Sequence, residues 1–309
     1  MTGKRCAILP PGLLLSLLFI ASTPAFSACA KPPAAGVSNE QVPERALWVW
    51  NAESVENEGE LNSFFDFVLA HNVSTVFLFV SSKRFEGMEE RHRTFLRVAH
   101  AHGLKVDALN GEPDWLYAKH RDGPDTFVNQ VIQFNLANTP DQRFDGIHLD
   151  VEPQALVDWK KGKRKDIVQE YLEFLKWCHG KVQRGGIPLK VDVPDQFQRI
   201  EVGPSSLANR VMDLADELVL MVYRDRAQKI IEMTQPLIKA GDERGKKVWV
   251  GLSPEIEGSV RRATDKLSKS EFEKIVQQVE RAEVSHRSFV GVAIHDYRRL
   301  RELILDPDR

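Results

Sequence analysis

Residues 144–153 carry three side chains that could perform acid–base chemistry together. The segment has the sequence Phe-Asp-Gly-Ile-His-Leu-Asp-Val-Glu-Pro, and residues two apart on a β-strand point to the same face. His148, Asp150 and Glu152 therefore share a face, and burying three polar groups costs several kcal/mol unless they pair or reach solvent. Crowding raises the proton affinity of one carboxyl, and a neutral acid near pH 7 can protonate a leaving oxygen. The segment predicts an acid–base site.

The elements that must position this segment alternate along the chain. Strands are predicted at 46–50, 74–80, 105–109, 146–151, 189–193, 217–223, 247–252 and 289–295, and helices at 58–71, 88–102, 125–137, 166–182, 205–214, 227–241, 269–284 and 297–305. Near-continuous apolar strands must be covered by helices, so eight strand–helix units predict a single (β/α)8 barrel, an α/β fold. A doubly wound sheet also fits the alternation, but it usually carries a glycine-rich loop after strand 1, and residues 48–53 contain no glycine.

In such a barrel the active site lies at the carboxyl ends of the strands. The strand ends of this chain are acidic, with aromatic residues between the acids. A sugar site needs this combination, because carboxylates move protons and flat rings stack on pyranose faces. The candidate substrate-binding residues are Trp50, Asn110, Trp115, His148, Asp192, Glu255 and His295.

Two motifs resemble those of glycoside hydrolase family 18, the chitinase family and its relatives. Asp145-Gly-Ile-His148-Leu-Asp150-Val-Glu152 is similar to the family's strand-4 signature, Asp-x-x-Asp-x-Asp-x-Glu. Met-Val-Tyr at residues 221–223 is similar to its Met-x-Tyr on strand 6. The chain departs from the pattern at His148, which stands in the position of the middle Asp, and at strand 8, which ends without the family's Trp.

The resemblance implies a role for four of these residues. Glu152 would be the general acid, Asp150 would orient the substrate's 2-acetamido group, Tyr223 would hydrogen-bond the acetamido oxygen, and Asp145 would be structural. The acetamido group itself would attack the anomeric carbon, so that configuration is retained without an enzyme nucleophile.

Three other interpretations stay open at the level of sequence. Glu152 and Glu255 could be the acid and nucleophile of a retaining glycosidase that uses strands 4 and 7, a pair that would lie about 5 Å apart. The barrel could bind carbohydrate without cleaving it, because a fold does not determine a function. A metal hydrolase could use His148, Asp150 and Glu152 with His295.

Composition and the amino-terminal segment limit which partners the protein is expected to have. The chain has 42 Lys+Arg and 44 Asp+Glu, a net charge of −2. A nucleic-acid binder needs a concentrated basic face, so the composition argues against nucleic acid as a partner.

The sequence predicts three segments. Residues 1–28 form a signal peptide, with Cys29 as a possible lipidated residue, residues 29–44 form a linker, and residues 45–309 form the barrel. We therefore expect an exported protein, periplasmic or at the cell surface, that meets the membrane only through such a lipid. Its expected partner is a polysaccharide or oligosaccharide, and no metal or other cofactor is implied.

Overall fold

Eight parallel strands close into a barrel, as the sequence predicts. The computed structural model describes residues 42–51, 58–255 and 267–305. The strands are β1 (Glu44–Val49), β2 (Thr75–Phe79), β3 (Lys105–Asn110), β4 (Gly146–Leu149), β5 (Leu189–Pro194), β6 (Glu217–Met221), β7 (Lys247–Leu252) and β8 (Phe289–Ile294). Each strand pairs in parallel with its neighbours in sequence, and β8 closes the barrel against β1.

A helix follows each strand in the described part of the chain. The helices are α1 (Glu58–Ala70), α2 (Phe85–Ala101), α3 (Asp122–Ala137), α4 (Arg164–Gly185), α5 (Leu207–Met212), α6 (Ala227–Arg244), α7 (Lys269–Glu283) and α8 (Tyr297–Leu305). A capping box begins α7: the Ser268 hydroxyl accepts from the Glu271 N–H, and the Glu271 carboxylate accepts from the Ser268 N–H. α2 ends before Gly103, whose φ of 76° favours glycine.

Several short elements in the loops were not predicted from the sequence. A short helix lies at Val157–Lys160, and residues Glu201–Val202 pair with Ser205–Ser206 in a small antiparallel ladder. β4 ends two residues earlier than predicted. The Asp150 N–H still bonds to the Asn110 carbonyl at 3.2 Å, but the chain then turns into a 3₁₀ helix at Pro153–Ala155. Proline has no N–H with which to extend a ladder.

The two faces of β4 have the orientation that the alternation predicts. Ile147, Leu149 and Val151 belong to the large core between the barrel and its helices. His148 lies on the opposite face, inside the barrel, and its ring lies edge-on to Phe77 with centroids 4.3 Å apart. The interior is otherwise filled by a small apolar cluster of Ala46, Trp48, Phe77, Leu109, Val219, Trp249 and Ala293.

Below this cluster, at the amino ends of the strands, the barrel contains buried charges. Lys190 Nζ lies 2.6 Å from Asp107 Oδ2 and 3.2 Å from Glu217 Oε2, and the ammonium group also faces the rings of Phe77 and Trp249. These groups line a cavity of about 370 Å³ that lies at the opposite end of the barrel from Glu152. In barrels of this type the amino end contributes to stability. We therefore interpret the ion-paired cluster as structural.

None of the helices in the described residues combines the length and apolarity that crossing a bilayer requires. The predicted signal peptide, Cys29 and most of the linker lie outside the described residues. Cys178 is buried in α4.

Candidate active site

The end of β3 fixes where Asp150 lies. A side chain at Gly111 would overlap the backbone carbonyl of Asp150, so glycine permits the close approach of the two strands. Asn110 is buried beside it: its amide donates to the Val80 carbonyl at 2.7 Å, and its side-chain oxygen accepts from the Gly111 N–H at 2.8 Å. The Asn110 side chain therefore joins β2 to β3, and these bonds occupy the amide that the sequence assigned to substrate.

Glu152 lies at the mouth of the barrel, just beyond the end of β4. Its side chain is half-buried, and the carboxylate accepts a hydrogen bond from the Gln154 amide. The 3₁₀ turn that follows packs against a second turn, Pro113–Leu116. Trp115 lies within that second turn and is only 7% exposed, with its ring 6.0 Å from that of Phe127. The predicted stacking platform is thus a core residue that supports the loop beneath Glu152.

Three carboxyl groups interact electrostatically at this end of the barrel. Burial raises the pKa of Asp150 well above its usual value, and the charges of Asp192 and Glu152 raise it further. Burial also raises the pKa of Asp192, with a contribution from Glu152, although a hydrogen bond from Trp48 opposes it. Buried like charges of this kind hold protons at pH values where exposed carboxyls are ionised.

His148 and Asp192 form a buried pair beneath the mouth. His148 Nε2 lies 2.8 Å from Asp192 Oδ1, and both side chains are 0% exposed. The indole N–H of Trp48 donates to the other Asp192 oxygen at 3.2 Å. Burial, reinforced by the charge of Lys190, lowers the pKa of His148 to about 3, so the imidazole is neutral near pH 7. The sequence placed both residues in contact with substrate, but their burial separates them from any ligand at the mouth.

An aromatic wall formed by Trp50, Tyr223 and His295 lies at the mouth. The rings of Tyr223 and His295 stack, with centroids 5.5 Å apart and an angle of 28° between the planes. The Trp50 indole N–H donates to His295 Nε2 at 3.1 Å. Burial lowers the pKa of His295 to about 4, which leaves a neutral ring in the wall.

Glu255 is held by a residue that the sequence analysis missed. Arg299 Nε donates to Glu255 Oε2 at 2.6 Å, and Arg299 Nη1 lies 3.0 Å from both Asp296 Oδ2 and His295 Nδ1. Arg299 lies four residues after His295, so a signal was available. Helix periodicity places a residue at that spacing next to the strand end.

Asp145 precedes β4 at the amino end of the barrel, away from the mouth, where it lines the cavity beside Lys190. Its carboxylate accepts from the Val106 N–H at 2.6 Å and from His100 Nε2 at 3.0 Å, contacts that join the start of β4 to β3 and α2. Among residues 42–51, 58–255 and 267–305, no three His, Cys, Asp or Glu side chains converge on a possible metal position. The metal-hydrolase interpretation gains no support from those ranges.

Comparison with known proteins shows which solved structures share this fold. A scan against protein-family models finds no match, and neither does a search of curated proteins. A GH18 chitinase from Pseudoalteromonas aurantia superposes with a TM-score of 0.54 at 13% identity, covering 82% of this chain and 94% of that chain. A chitinase from Bacteroides thetaiotaomicron gives 0.51 at 13%, covering 84% and 90%. The spore cortex-lytic enzyme of Bacillus megaterium gives 0.50 at 10%, covering 83% and 71%. At these identities the likeness is one of fold.

Proposed function

We propose that this protein is a glycoside hydrolase that cleaves a glycan containing N-acetylhexosamine, with Glu152 as the general acid. The observation that carries the proposal is the position of Glu152. It lies half-buried at the barrel mouth, within electrostatic range of the buried Asp150 and Asp192. A carboxyl at this position can reach a bound glycan and exchange a proton with it, as a general acid must. Two of the solved structures with this fold are chitinases, which supports the substrate class.

The proposed reaction proceeds in two steps. Glu152 gives its proton to the glycosidic oxygen while the acetamido oxygen of the substrate attacks the anomeric carbon, and the leaving sugar departs. Asp150 stabilises the positive charge that develops on the acetamido nitrogen, and the Tyr223 hydroxyl holds the acetamido oxygen. Glu152 then takes a proton from water, which opens the cyclic intermediate. Two inversions give net retention.

The aromatic wall is the proposed platform for the sugar ring. Trp50 and His295 are partly exposed at the mouth, whereas Tyr223 is 8% exposed and stacks on His295. Partly exposed rings of this kind can cover the apolar face of a pyranose. His295 would substitute for the Trp that the family carries at the end of strand 8. A neutral ring serves this purpose better than an imidazolium, because a charged ring is costly to desolvate.

The ion pair of Glu255 favours this scheme over the one in which Glu255 is the nucleophile. Glu255 Oε2 accepts from Arg299 Nε at 2.6 Å, and a charge-assisted hydrogen bond of this kind makes the carboxylate a weaker nucleophile. The acetamido scheme needs no enzyme nucleophile. Glu255 and Arg299 would instead form a polar edge beside the aromatic wall.

The proposed setting is outside the cytoplasm. Residues 1–28 have the pattern of an export signal, and an insoluble or cell-wall glycan is met there. The amino-terminal residue of the mature protein, read by mass spectrometry, tests this part: a lipid on Cys29 indicates anchoring, and an uncleaved Met1 contradicts export.

Hydrolysis is tested by incubating the full chain with chitin, peptidoglycan and secreted exopolysaccharides and measuring released reducing ends. NMR of the first product formed then reports the anomer. We expect release from at least one N-acetylhexosamine polymer, with the anomeric configuration retained. An inverted product would contradict both the acetamido scheme and the Glu255 scheme, and binding without release by the wild type would support the non-catalytic interpretation.

A further inference from the structure

We propose that His148 connects Asp150 to Asp192, and that the two aspartates share one proton, which passes between them through the two nitrogens of the imidazole ring. The sharing follows from the buried geometry alone. Its use in glycan cleavage rests on the proposed function.

One end of this connection is present in the structure. His148 Nε2 and Asp192 Oδ1 are 2.8 Å apart, in a position where neither side chain is exposed. The Trp48 N–H occupies the second Asp192 oxygen. An indole nitrogen can only donate, so that oxygen is always an acceptor. A proton carried by Asp192 is therefore best placed on the oxygen that faces His148, because Nε2 can accept it there.

The other end is marked by two buried atoms without partners. His148 Nδ1 and Asp150 Oδ1 are both buried, and neither has a hydrogen-bond partner among the described residues. The two side chains project from the same face of one strand, two residues apart. A buried polar atom left unpaired costs about 1–3 kcal/mol, and a hydrogen bond between these two atoms would remove both costs.

A neutral imidazole has one donor and one acceptor nitrogen, so the trio has two states. In the first, Asp150 is protonated and donates to Nδ1, while Nε2–H donates to ionised Asp192. In the second, Asp192 is protonated and donates to Nε2, while Nδ1–H donates to ionised Asp150. Passing from the first to the second breaks the Asp150 O–H and His148 Nε2–H bonds and forms the Nδ1–H and Asp192 O–H bonds. The net charge stays at −1.

The surrounding charges favour a neutral ring in both states. Lys190 on β5 raises the cost of an imidazolium, while Asp107 on β3 and Glu217 on β6 oppose that effect only in part. Lys190 is itself paired with these two carboxylates. Once Glu152, at the mouth, has given up its own proton, its negative charge also disfavours ionising both aspartates. One proton for two aspartates is the arrangement that meets all of these constraints.

The connection would serve the proposed reaction in a specific way. Asp150 must be anionic when positive charge develops on the substrate, and at that moment Glu152 must still hold its own proton. Moving the Asp150 proton to Asp192 supplies the anion without releasing that proton to Glu152 or to solvent. His148 and Asp192 would thus be positioning residues, buried beneath the groups that contact substrate.

The test is ¹⁵N NMR of the histidine rings in the full chain, in Asp150→Asn and Asp192→Asn. In Asp192→Asn, the Trp48 N–H holds the amide oxygen, so the amide N–H faces Nε2 and should force the Nδ1–H tautomer. In Asp150→Asn, the remaining carboxylate, Asp192, should hold the Nε2–H tautomer. We expect opposite tautomers in the two variants. The same tautomer in both, or an imidazolium in either, overturns the proposal.

Two further measurements keep the test decisive. In the wild type, exchange between the two states should average both ring nitrogens of His148, whereas one fully protonated nitrogen would contradict sharing even if a variant fails to fold. His92 is the internal control. It is 5% exposed, its ring lies against Phe85 and Phe144, and its resonances should not change in either variant.

Kinetics separate this proposal from the proposed function. On a glycan that the wild type cleaves, Asp192→Asn should lower kcat about tenfold or more, with KM unchanged within about twofold, since general acid–base arrangements contribute 10²–10⁴-fold. Asp195→Asn is the matched control, because Asp195 follows β5 and pairs with Arg224 at 3.0 Å. An equal loss in both variants would overturn the catalytic role of the connection. If no glycan is cleaved by the wild type, the proposed function fails, but the NMR result still decides whether the proton is shared.

Discussion

At the scale of single residues, alternation along β4 was enough to predict which side chains enter the barrel. His148 is inside and Ile147 outside, as a period of two requires. How deeply each side chain is buried was not predictable from the sequence. Asn110, Trp115, His148 and Asp192 are each at most 7% exposed, although all were expected to contact substrate. Their burial depends on neighbours from other strands, such as Trp48 above Asp192 and the 3₁₀ turn around Trp115, and no local pattern specifies those contacts.

Tyr223→Phe tests the role proposed for the tyrosine hydroxyl. The ring would keep its stacking on His295, so we expect the melting temperature to stay unchanged within error. Turnover of an N-acetylated substrate should fall about 10²-fold, because loss of the hydrogen bond misplaces the attacking acetamido oxygen and a misplacement of about 1 Å can cost this much. A substrate whose 2-acetamido group is replaced by hydroxyl provides the control. An equal loss on both substrates would contradict a contact with the acetamido oxygen.

At the scale of elements, strands and helices were predictable because their periodicity is local, and loops were not. The predicted and observed limits of β7 and α8 coincide. The loop after β4 was missed in part: its two short helical segments, at 153–155 and 157–160, have too few residues to show a period. This loop carries Glu152 to the mouth, so the position of the proposed acid depends on structure that the sequence did not reveal.

Gly111→Ala tests the close approach of Gly111, which follows β3, to Asp150, which follows β4. The new methyl group would overlap the Asp150 carbonyl, and only a shift of the backbone would remove the overlap. We expect a loss of about 1–3 kcal/mol of unfolding free energy, typical of overpacking, together with a fall in activity. Chemical denaturation measures the stability. Gly87→Ala in α2 is the matched control, because nothing lies within 4 Å of its added Cβ, and it should stabilise the protein by about 0.5–1 kcal/mol. A loss in Gly87→Ala as large as that in Gly111→Ala would show that the contact is not the cause.

At the scale of the whole molecule, the barrel separates two kinds of buried charge. The amino end contains a cation paired with carboxylates, Lys190 with Asp107 and Glu217. The carboxyl end contains carboxyls in excess, with a neutral histidine between two of them. An apolar cluster that includes Trp48 and Trp249 divides the two ends. The excess of carboxyls at the mouth is the part of the charge distribution that suits protonation of a leaving group.

Buried neutral histidines also predict how stability depends on pH. Burial lowers the pKa of His92 from 6.5 to about 4. As pH falls through that interval the unfolded chain takes up the proton first, so the stability that His92 contributes is complete above pH 6.5 and is lost towards pH 4. The loss amounts to about 3 kcal/mol. His92→Leu should lack this part of the loss, which urea unfolding at pH 7 and at pH 4 measures. Parallel wild-type and variant curves would contradict it.

The most direct test of the central claim compares Glu152→Gln with the wild type on two leaving groups. With the natural glycan, whose departing oxygen needs a proton, we expect a loss of about 10²–10⁴-fold, the contribution of a positioned acid. With a dinitrophenyl glycoside, whose leaving group needs no proton, the first turnover should be slowed less than about tenfold. An equal loss with both leaving groups, or no loss with the glycan, would contradict Glu152 as the general acid.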